Sequence, residues 1–260
     1  MRVSVITVTF NALPALKKTM ASVMAQTSLD YEYIIVDGAS TDGTAEYLSE
    51  KADGSYRWIS EPDSGIYEAM NKGVRMAQGE YCLFINAGDC FVDAKVLATV
   101  LPFMNGVDLV IGNQIDVSEQ GVIADFYQAK GSFSLNNLLQ SSVCHQSTFI
   151  RRSVLLERPY DEHLRLVSDW KFFLELYLGG NVSYRTVDVN ICFFFEGGAT
   201  DKNRDLGKQE RMSVLAGYPE YEHIWGKPYC PSFVNKIKRK YLFYVNKIIY
   251  ANKLKKCNVS

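Results

Sequence analysis

Three short apolar runs in the first 90 residues each stop at small polar residues, with helical spacing between them. Val3 to Val8 is an apolar, β-branched run of the kind found in a parallel strand covered on both faces. Tyr33-Ile34-Ile35-Val36 and Tyr81-Cys82-Leu83-Phe84-Ile85 read the same way, with a shorter strand at Tyr56 to Ile59. Leu13, Leu16, Met20, Val23 and Met24 recur at helical spacing, a second helix begins near Asp42, and Ile66, Met70, Val74 and Ala77 mark one face of a third. Strands alternating with helices imply βαβ units, and so an α/β fold around a mostly parallel, Rossmann-like sheet. Such sheets bind ligands at the carboxyl ends of their strands. The exits Thr9-Phe10-Asn11, Asp37-Gly38-Ala39-Ser40 and Asn86-Ala87-Gly88-Asp89 should therefore line one crevice.

The second half is less regular. Leu109 to Asp116 and Val122 to Tyr127 read as a hairpin around Glu119-Gln120-Gly121, and Ser147 to Ile150 as a strand. Trp170, Phe173, Leu174, Tyr177 and Leu178 give a helix face with Ser168 or Asp169 at its start, and Val182 to Phe195 is a long strand region broken by Gly197-Gly198. With 260 residues, 47% of them hydrophobic, one large domain with an appended tail is expected, divided at 1–226 and 227–260. No apolar run reaches membrane-spanning length, and the N-terminus lacks a signal-peptide cleavage pattern. The six cysteines are scattered without a CxxC pair, which fits reduced thiols in a cytosolic protein, and three histidines without ligand spacing speak against zinc.

Asp37 closes a buried strand, where a carboxylate is costly unless it binds something, such as a base N–H; Asp42 suits a helix cap instead. Glu61-Pro62-Asp63-Ser64-Gly65 is a turn running into the third helix, which carries Asn71 and Lys72. Asp169, at the head of a helix, is either an N-cap or an ionised carboxylate that can accept a proton from a hydroxyl.

In order, these pieces resemble the family-two inverting glycosyltransferases of the GT-A fold. The resemblance covers roughly residues 2 to 200. Its wording, Pro-Asp-Ser-Gly-Ile-Tyr-Glu-Ala-Met-Asn-Lys-Gly and then Asn-Ala-Gly-Asp, is similar to a branch tied to bacterial surface polysaccharides, including colanic-acid-type enzymes. It implies that Thr9, Asn11, Asp37, Asp63, Asn71, Asn86 and Gly198 hold a nucleoside-diphosphate sugar, with UDP expected. It implies His145 and Gln146 on the acceptor or diphosphate side, and Asp169 as general base in Val167-Ser168-Asp169-Trp170. Where the family commonly has Asp-x-Asp-Asp, this chain has Asn86-Ala87-Gly88-Asp89, so Asp89 alone is expected to meet a divalent metal, Mn2+ or Mg2+. Phe195-Glu196-Gly197-Gly198-Ala199-Thr200 looks like the family's glycine loop, able to aim backbone N–H groups at phosphate, with Arg204 and Lys208 adding positive charge.

From Lys227 to Ser260 the chain has nine of its 28 lysine and arginine residues and none of its 29 acids. Basic residues mixed with Phe233, Ile237, Tyr241, Tyr244 and Ile248 fit a helical tail on an anionic membrane surface rather than nucleic acid. The expected partners are thus the nucleotide sugar, a saccharide acceptor on a lipid diphosphate, and the inner face of a membrane, for a cytoplasmic, peripheral protein. Two other enzyme classes want glycines after the first strand: Thr7 to Leu13 has none, which excludes a sugar nucleotidyltransferase loop and a GxGxxG dinucleotide site. The remaining alternative is a non-catalytic, nucleotide-sugar-binding partner subunit.

Overall fold

The computed structural model of the chain describes residues 1–198, 202–221, 247, 249–251, 253 and 254. Nine strands form one sheet in the order β3-β2-β1-β4-β8-β6-β9-β5, with β7 paired to β6. They are β1 (Val3–Thr9), β2 (Tyr31–Asp37), β3 (Arg57–Ser60), β4 (Tyr81–Phe84), β5 (Cys90–Phe91), β6 (Leu109–Val117), β7 (Ile123–Tyr127), β8 (Thr148–Arg151) and β9 (Tyr184–Phe195). Helices α1 (Leu13–Met24), α2 (Thr44–Glu50) and α3 (Ile66–Met76) connect the first four strands. Later come α4 (Val96–Val100), α5 (Leu135–Gln140), α6 (Arg152–Glu157), α7 (Ser168–Gly179) and α8 (Arg204–Leu215).

The expected mostly parallel sheet holds for β1 to β4, which pair in parallel. Beyond β4 the pairing is mixed. Strand β8 runs antiparallel to both of its neighbours, β4 and β6, while β9 lies parallel to β6. The reason is local: β8 is reached through α5 and a turn, without the crossover helix that a parallel step needs. Because β8 reverses once on each side, β6 and β9 still point the same way as β1 and β4. Their exits, including Glu196-Gly197-Gly198 after β9, thus open on the same edge as Asn11, Gly38 and Asn86.

Alternation along the strands builds two cores. Val3, Val5, Tyr33, Ile35, Leu83 and Ile85 face α1, α2 and α4. Ile6, Val8, Ile34, Val36 and Phe84 face α3 and α7. Gly73 lets α3 settle onto β1, since a Cβ there would lie 2.5 Å from Ile6 Cγ2. Of the six cysteines, Cys82, Cys90, Cys144 and Cys192 are described, and none of these four is in a disulfide.

Of the tail, Lys247, Ile249, Tyr250, Ala251, Lys253 and Leu254 are described, all helical. Leu254 is buried in the first core, the Tyr250 ring lies 6.2 Å from that of Phe193, and Lys253 Nζ is 2.7 Å from an Asp93 oxygen. This stretch packs on the body, and Lys253 is neutralised there rather than presented outward. The expected division at 226/227 and the aromatic residues of 233–244 lie outside the described residues. Among the described residues, no helix is long and apolar enough to cross a membrane.

Candidate active site

The three strand exits meet as expected. Gly38 N–H donates to the Thr9 carbonyl and Ala87 N–H to the Val8 carbonyl, so the loop after β1 holds both of its neighbours. Asn11, at φ 49°, accepts from Thr41 N–H at 2.8 Å through its side chain and donates its own N–H to Ser40 Oγ at 2.7 Å. Asn11 therefore joins two of the loops. The N-cap of α2 is Gly43 rather than the expected Asp42, which from the preceding position serves two helices: its carboxylate accepts from Leu13 N–H at the start of α1 and from Thr44 N–H and hydroxyl at the start of α2.

Asp37 lies in the crevice floor but faces inward. It is fully buried and accepts from Ser40 N–H, the Ser40 hydroxyl and, at 2.6 Å, the Ser60 hydroxyl. These three donors satisfy the buried charge that the sequence reading assigned to a ligand. Asp63 is the acid set toward the crevice. Its Oδ1 accepts from Gly65 N–H at 3.0 Å, while Oδ2 occupies the space a Cβ on Gly38 would need, 2.6 Å away. Burial raises its pKa above the ordinary carboxylate value. Beside it Phe10 is 62% exposed, a bare aromatic face at the crevice mouth that the sequence reading passed over. Asn71 is a correction: its amide donates to the Tyr160 carbonyl and to Glu162, and accepts from Tyr160 N–H, so it fastens the 160–162 segment to α3 and is spent there.

Asn86 and Asp89 stand on the loop after β4. The Thr19 hydroxyl of α1 accepts from Gly88 N–H and donates to the Asp89 carbonyl, and Gly88 takes φ 112°, which a side chain would resist. Asp89 is 6% exposed. Burial pushes its pKa up to about 7, with Asp116 adding repulsion, against the opposing pull of His145, a Phe195 N–H and the Gln146 side chain. A carboxylate so short of compensation suits a cation. Among the described residues no cluster of three or more histidine, cysteine or acidic side chains is arranged to hold a metal. Asp89 fits the mode in which one carboxylate binds a hard cation and substrate phosphate oxygens and waters supply the remainder.

Opposite that loop lies Asp169, the second residue of α7. The residue before the helix is Val167, so Asp169 is not the N-cap. Its Oδ1 accepts from the Tyr67 hydroxyl at 2.7 Å and its Oδ2 is 2.8 Å from His145 Nδ1. Burial alone would raise the Asp169 pKa; the hydrogen bond and charge of His145, then the Tyr67 hydroxyl, outweigh it and hold the group below the ordinary carboxylate value. Burial, and then the Asp169 charge, push the Tyr67 phenol well above its usual range, so it stays a donor. His145 Nε2 in turn lies 3.3 Å from Asn86 Nδ2. Asn86, His145, Asp169 and Tyr67 thus form one polar chain from the donor-side loop to α3, across four segments that the sequence keeps apart.

Two buried polar atoms at these exits, Thr9 Oγ1 and Asn86 Oδ1, have no hydrogen-bond partner. Buried polar atoms are rarely left so. Gly198 ends the described part of the glycine loop; Ala199 and Thr200 lie outside it. The loop borders an open cavity of about 540 Å³ lined by Lys18, Glu119, Phe195, Glu196 and Lys202 among others. Of the two expected cations, Lys208 is an exposed partner of Asp205 on α8. From α8, Arg211 donates to the Ser141 carbonyl and lies 4.7 Å over the Trp170 ring, within reach of the Asp169 charge.

Comparison with known proteins agrees with this geometry. Residues 4–156 match the family model described as Glycosyl transferase family 2. A PGL/p-HBAD biosynthesis glycosyltransferase of Mycobacterium tuberculosis is 32% identical over 225 residues, covering 82% of this chain and 86% of the relative. The putative teichuronic acid biosynthesis glycosyltransferase TuaG of Bacillus subtilis is 41% identical over 105 residues, 39% of this chain and 41% of that one. Among solved structures, S. aureus TarS 1-349 in complex with UDP-GlcNAc superposes with a TM-score of 0.66 at 19% identity, covering 84% of this chain and 66% of that chain. The mannosyltransferase PcManGT from Pyrobaculum calidifontis, in complex with GDP-Man and Mn2+, superposes with a TM-score of 0.62 at 16% identity, covering 98% of this chain and 73% of that chain. These two likenesses carry the GT-A fold, and the sequence matches carry the membership: the chain is a glycosyltransferase of family 2.

Proposed function

We propose that this glycosyltransferase moves a hexosyl group, with inversion, from a nucleoside-diphosphate sugar, UDP-linked, to a saccharide acceptor in polysaccharide or glycolipid synthesis. The observation that carries the reading is the polar chain from Asn86 through His145 to Asp169, which joins a donor crevice to a carboxylate kept ionised. Thr9, Asp63 and the Phe10 face would hold the nucleoside, Asn86 the sugar or ribose, and the loop ending at Gly198 the diphosphate. Asn11 and Asp37 support the same site from within its loops. Asp89, with Gln146 hydrogen-bonded to it, would hold a divalent metal, which when bound neutralises the charge of the departing diphosphate. Asp169 supplies the negative charge that draws the proton from the acceptor hydroxyl as that oxygen attacks the anomeric carbon from the face opposite the leaving group. A single displacement of this kind inverts the centre and needs no covalent enzyme intermediate.

An acceptor on a lipid diphosphate, and docking at the inner face of an anionic membrane through the basic residues of 227–260 other than Lys253, belong to the same proposal. They rest on the tail's composition. The test of the donor assignment is a thermal-shift panel of UDP-, GDP-, dTDP- and CMP-sugars, each with and without Mn2+. A rise in melting temperature confined to UDP-sugars and enlarged by Mn2+ is expected; no rise with any of them overturns it. The single carboxylate of Asn86-Ala87-Gly88-Asp89 favours one competing reading, a partner subunit that binds the donor without turnover. Release of nucleoside diphosphate by the isolated protein, with and without Mn2+, separates the two.

A further inference from the structure

The turn that carries Asp63, Glu61 to Gly65, starts on the sheet. Glu61 N–H donates to the Asp37 carbonyl at 3.0 Å, which ties the turn to the exit of β2. From there the chain leaves the sheet, and two side chains of α3 reach back to it. Glu68, the third residue of the helix, accepts from Ser64 N–H at 2.7 Å through Oε2. Lys72, half-buried, donates from Nζ to the Pro62 carbonyl at 2.8 Å and lies 3.1 Å from Glu61 Oε1 and 3.0 Å from Glu68 Oε1.

An ammonium has three N–H donors, and each of these partners can take one. The partners stand at the start of the turn, inside it and beyond its end, so one side chain closes the turn on itself. The bond to Pro62 matters most for geometry. The proline ring sets φ at Pro62, and its carbonyl belongs to the planar peptide unit that leads into Asp63. Holding that carbonyl sets the plane from which the Asp63 side chain departs. An exposed ion pair by itself adds little stability, so what the contact supplies is orientation. Asp63 completes the arrangement: Oδ1 is taken by Gly65 N–H at 3.0 Å, and Oδ2 is left over Gly38 in the crevice.

We propose that Lys72 is a positioning residue for the donor, holding the 61–65 turn so that Asp63 Oδ2 is set for the nucleoside while Lys72 itself does not touch the donor; this rests on the glycosyltransferase reading above. The same ammonium acts on the charge of Asp63. Burial raises the Asp63 pKa, Gly65 N–H and then the Lys72 charge draw it down, and Glu68 on α3 and Asp37 at the end of β2 push it up. Removing the Lys72 charge therefore raises it further, and a protonated Asp63 is a poorer acceptor for a base N–H.

Two readouts test this, and the first needs no donor. Hydrogen exchange over residues 61–65 should be faster in Lys72→Met than in the wild type and return toward it in Lys72→Arg, which keeps the charge and the donors. Exchange unchanged in Lys72→Met overturns the proposal. The second is binding of UDP, and of uridine in competition with it, in the presence of Mn2+. Lys72→Met should weaken both by the same factor, about tenfold, and Lys72→Arg should recover most of the loss. The fall in affinity at acid pH should begin at a higher pH in Lys72→Met than in the wild type. A loss confined to UDP would place Lys72 on the phosphates and overturn the proposal, as would wild-type affinity for both. Should Lys72→Met fail to fold, Glu61→Gln removes one partner only and should give a smaller loss of the same kind; no loss there overturns the proposal. Failure of the wild type to bind UDP strikes the donor reading instead, and hydrogen exchange then still decides whether Lys72 holds the turn.

Discussion

Asp89 and Asp169 are both acids in the candidate site, and their surroundings treat them in opposite ways. Asp89 has one long backbone contact of 3.4 Å and the Gln146 side chain, lies near Asp116, and is pushed up to about 7. Asp169 has Tyr67 and His145 on its two oxygens, and is held below the ordinary value. Burial is the largest influence on each and acts upward on both; the number and charge of the donors decides the outcome. A site that needs one carboxylate short of donors, to take a cation, and another ionised in advance, to serve proton transfer, requires that difference. Carboxylates whose environments push their pKa values apart commonly divide roles in this way.

The comparison can be broken most directly at Asp169. Asp169→Asn should cost about 10²–10⁴-fold in donor turnover, with the donor-induced thermal shift retained; UDP release measures it. Near-normal turnover would remove Asp169 from the chemistry. Tyr67→Phe should cost less, about tenfold, the equivalent of one hydrogen bond to a charged group. It should also move the acid limb of the rate profile upward, because losing that donor raises the Asp169 pKa.

At Asp89 the expected effect is on stability and has a definite sign. Its folded pKa lies above its unfolded one, so between about pH 4 and pH 7 the folded protein holds a proton that the unfolded chain has lost. Metal-free protein should therefore lose melting temperature as pH rises through that window, and Asp89→Asn should flatten this part of the curve. A curve unchanged by the substitution would show that Asp89 is not the strained acid. Asn71→Ala should destabilise by about 1–3 kcal/mol, because Tyr160 N–H and carbonyl lose their partner, and leave donor affinity alone. The smallest stability effect is expected at Thr9. Thr9→Val removes an unpartnered buried hydroxyl, so the free protein should be unchanged or slightly steadier, while UDP-sugar affinity drops by about tenfold or less.

The donor half was legible because its information is local. Each exit is continuous in sequence, and parallel pairing of β1 with β2 and β4 brings the exits together by topology alone. The acceptor half was legible only in part. Asp169 and His145 could be singled out one at a time, but nothing in 24 residues of separation announces a 2.8 Å contact. Tyr67 sat in plain view inside the quoted Pro-Asp-Ser-Gly-Ile-Tyr run, but at i+3 and i+7 from Met70 and Val74 it shares their apolar face, so its spacing marks it as core and leaves its hydroxyl unannounced. Asn71 misled because a polar side chain at a buried position implies a partner, and sequence does not say whether that partner is a ligand or, as here, Tyr160. In the sheet's mixed half β8 was read as a strand, but four residues do not show which way it pairs, and β5, two residues long, carries no periodic signal.

The measurement that bears most directly on the division between the two acids is calorimetric titration of the protein with a UDP-sugar and Mn2+ at pH 6, in two buffers of different ionisation enthalpy. If Asp89 is the carboxylate that takes the cation, binding should release close to one proton, and Asp89→Asn should abolish that release while Asp169→Asn keeps it. Binding without proton release, or release that survives Asp89→Asn, would contradict the assignment of the two carboxylates to their separate tasks.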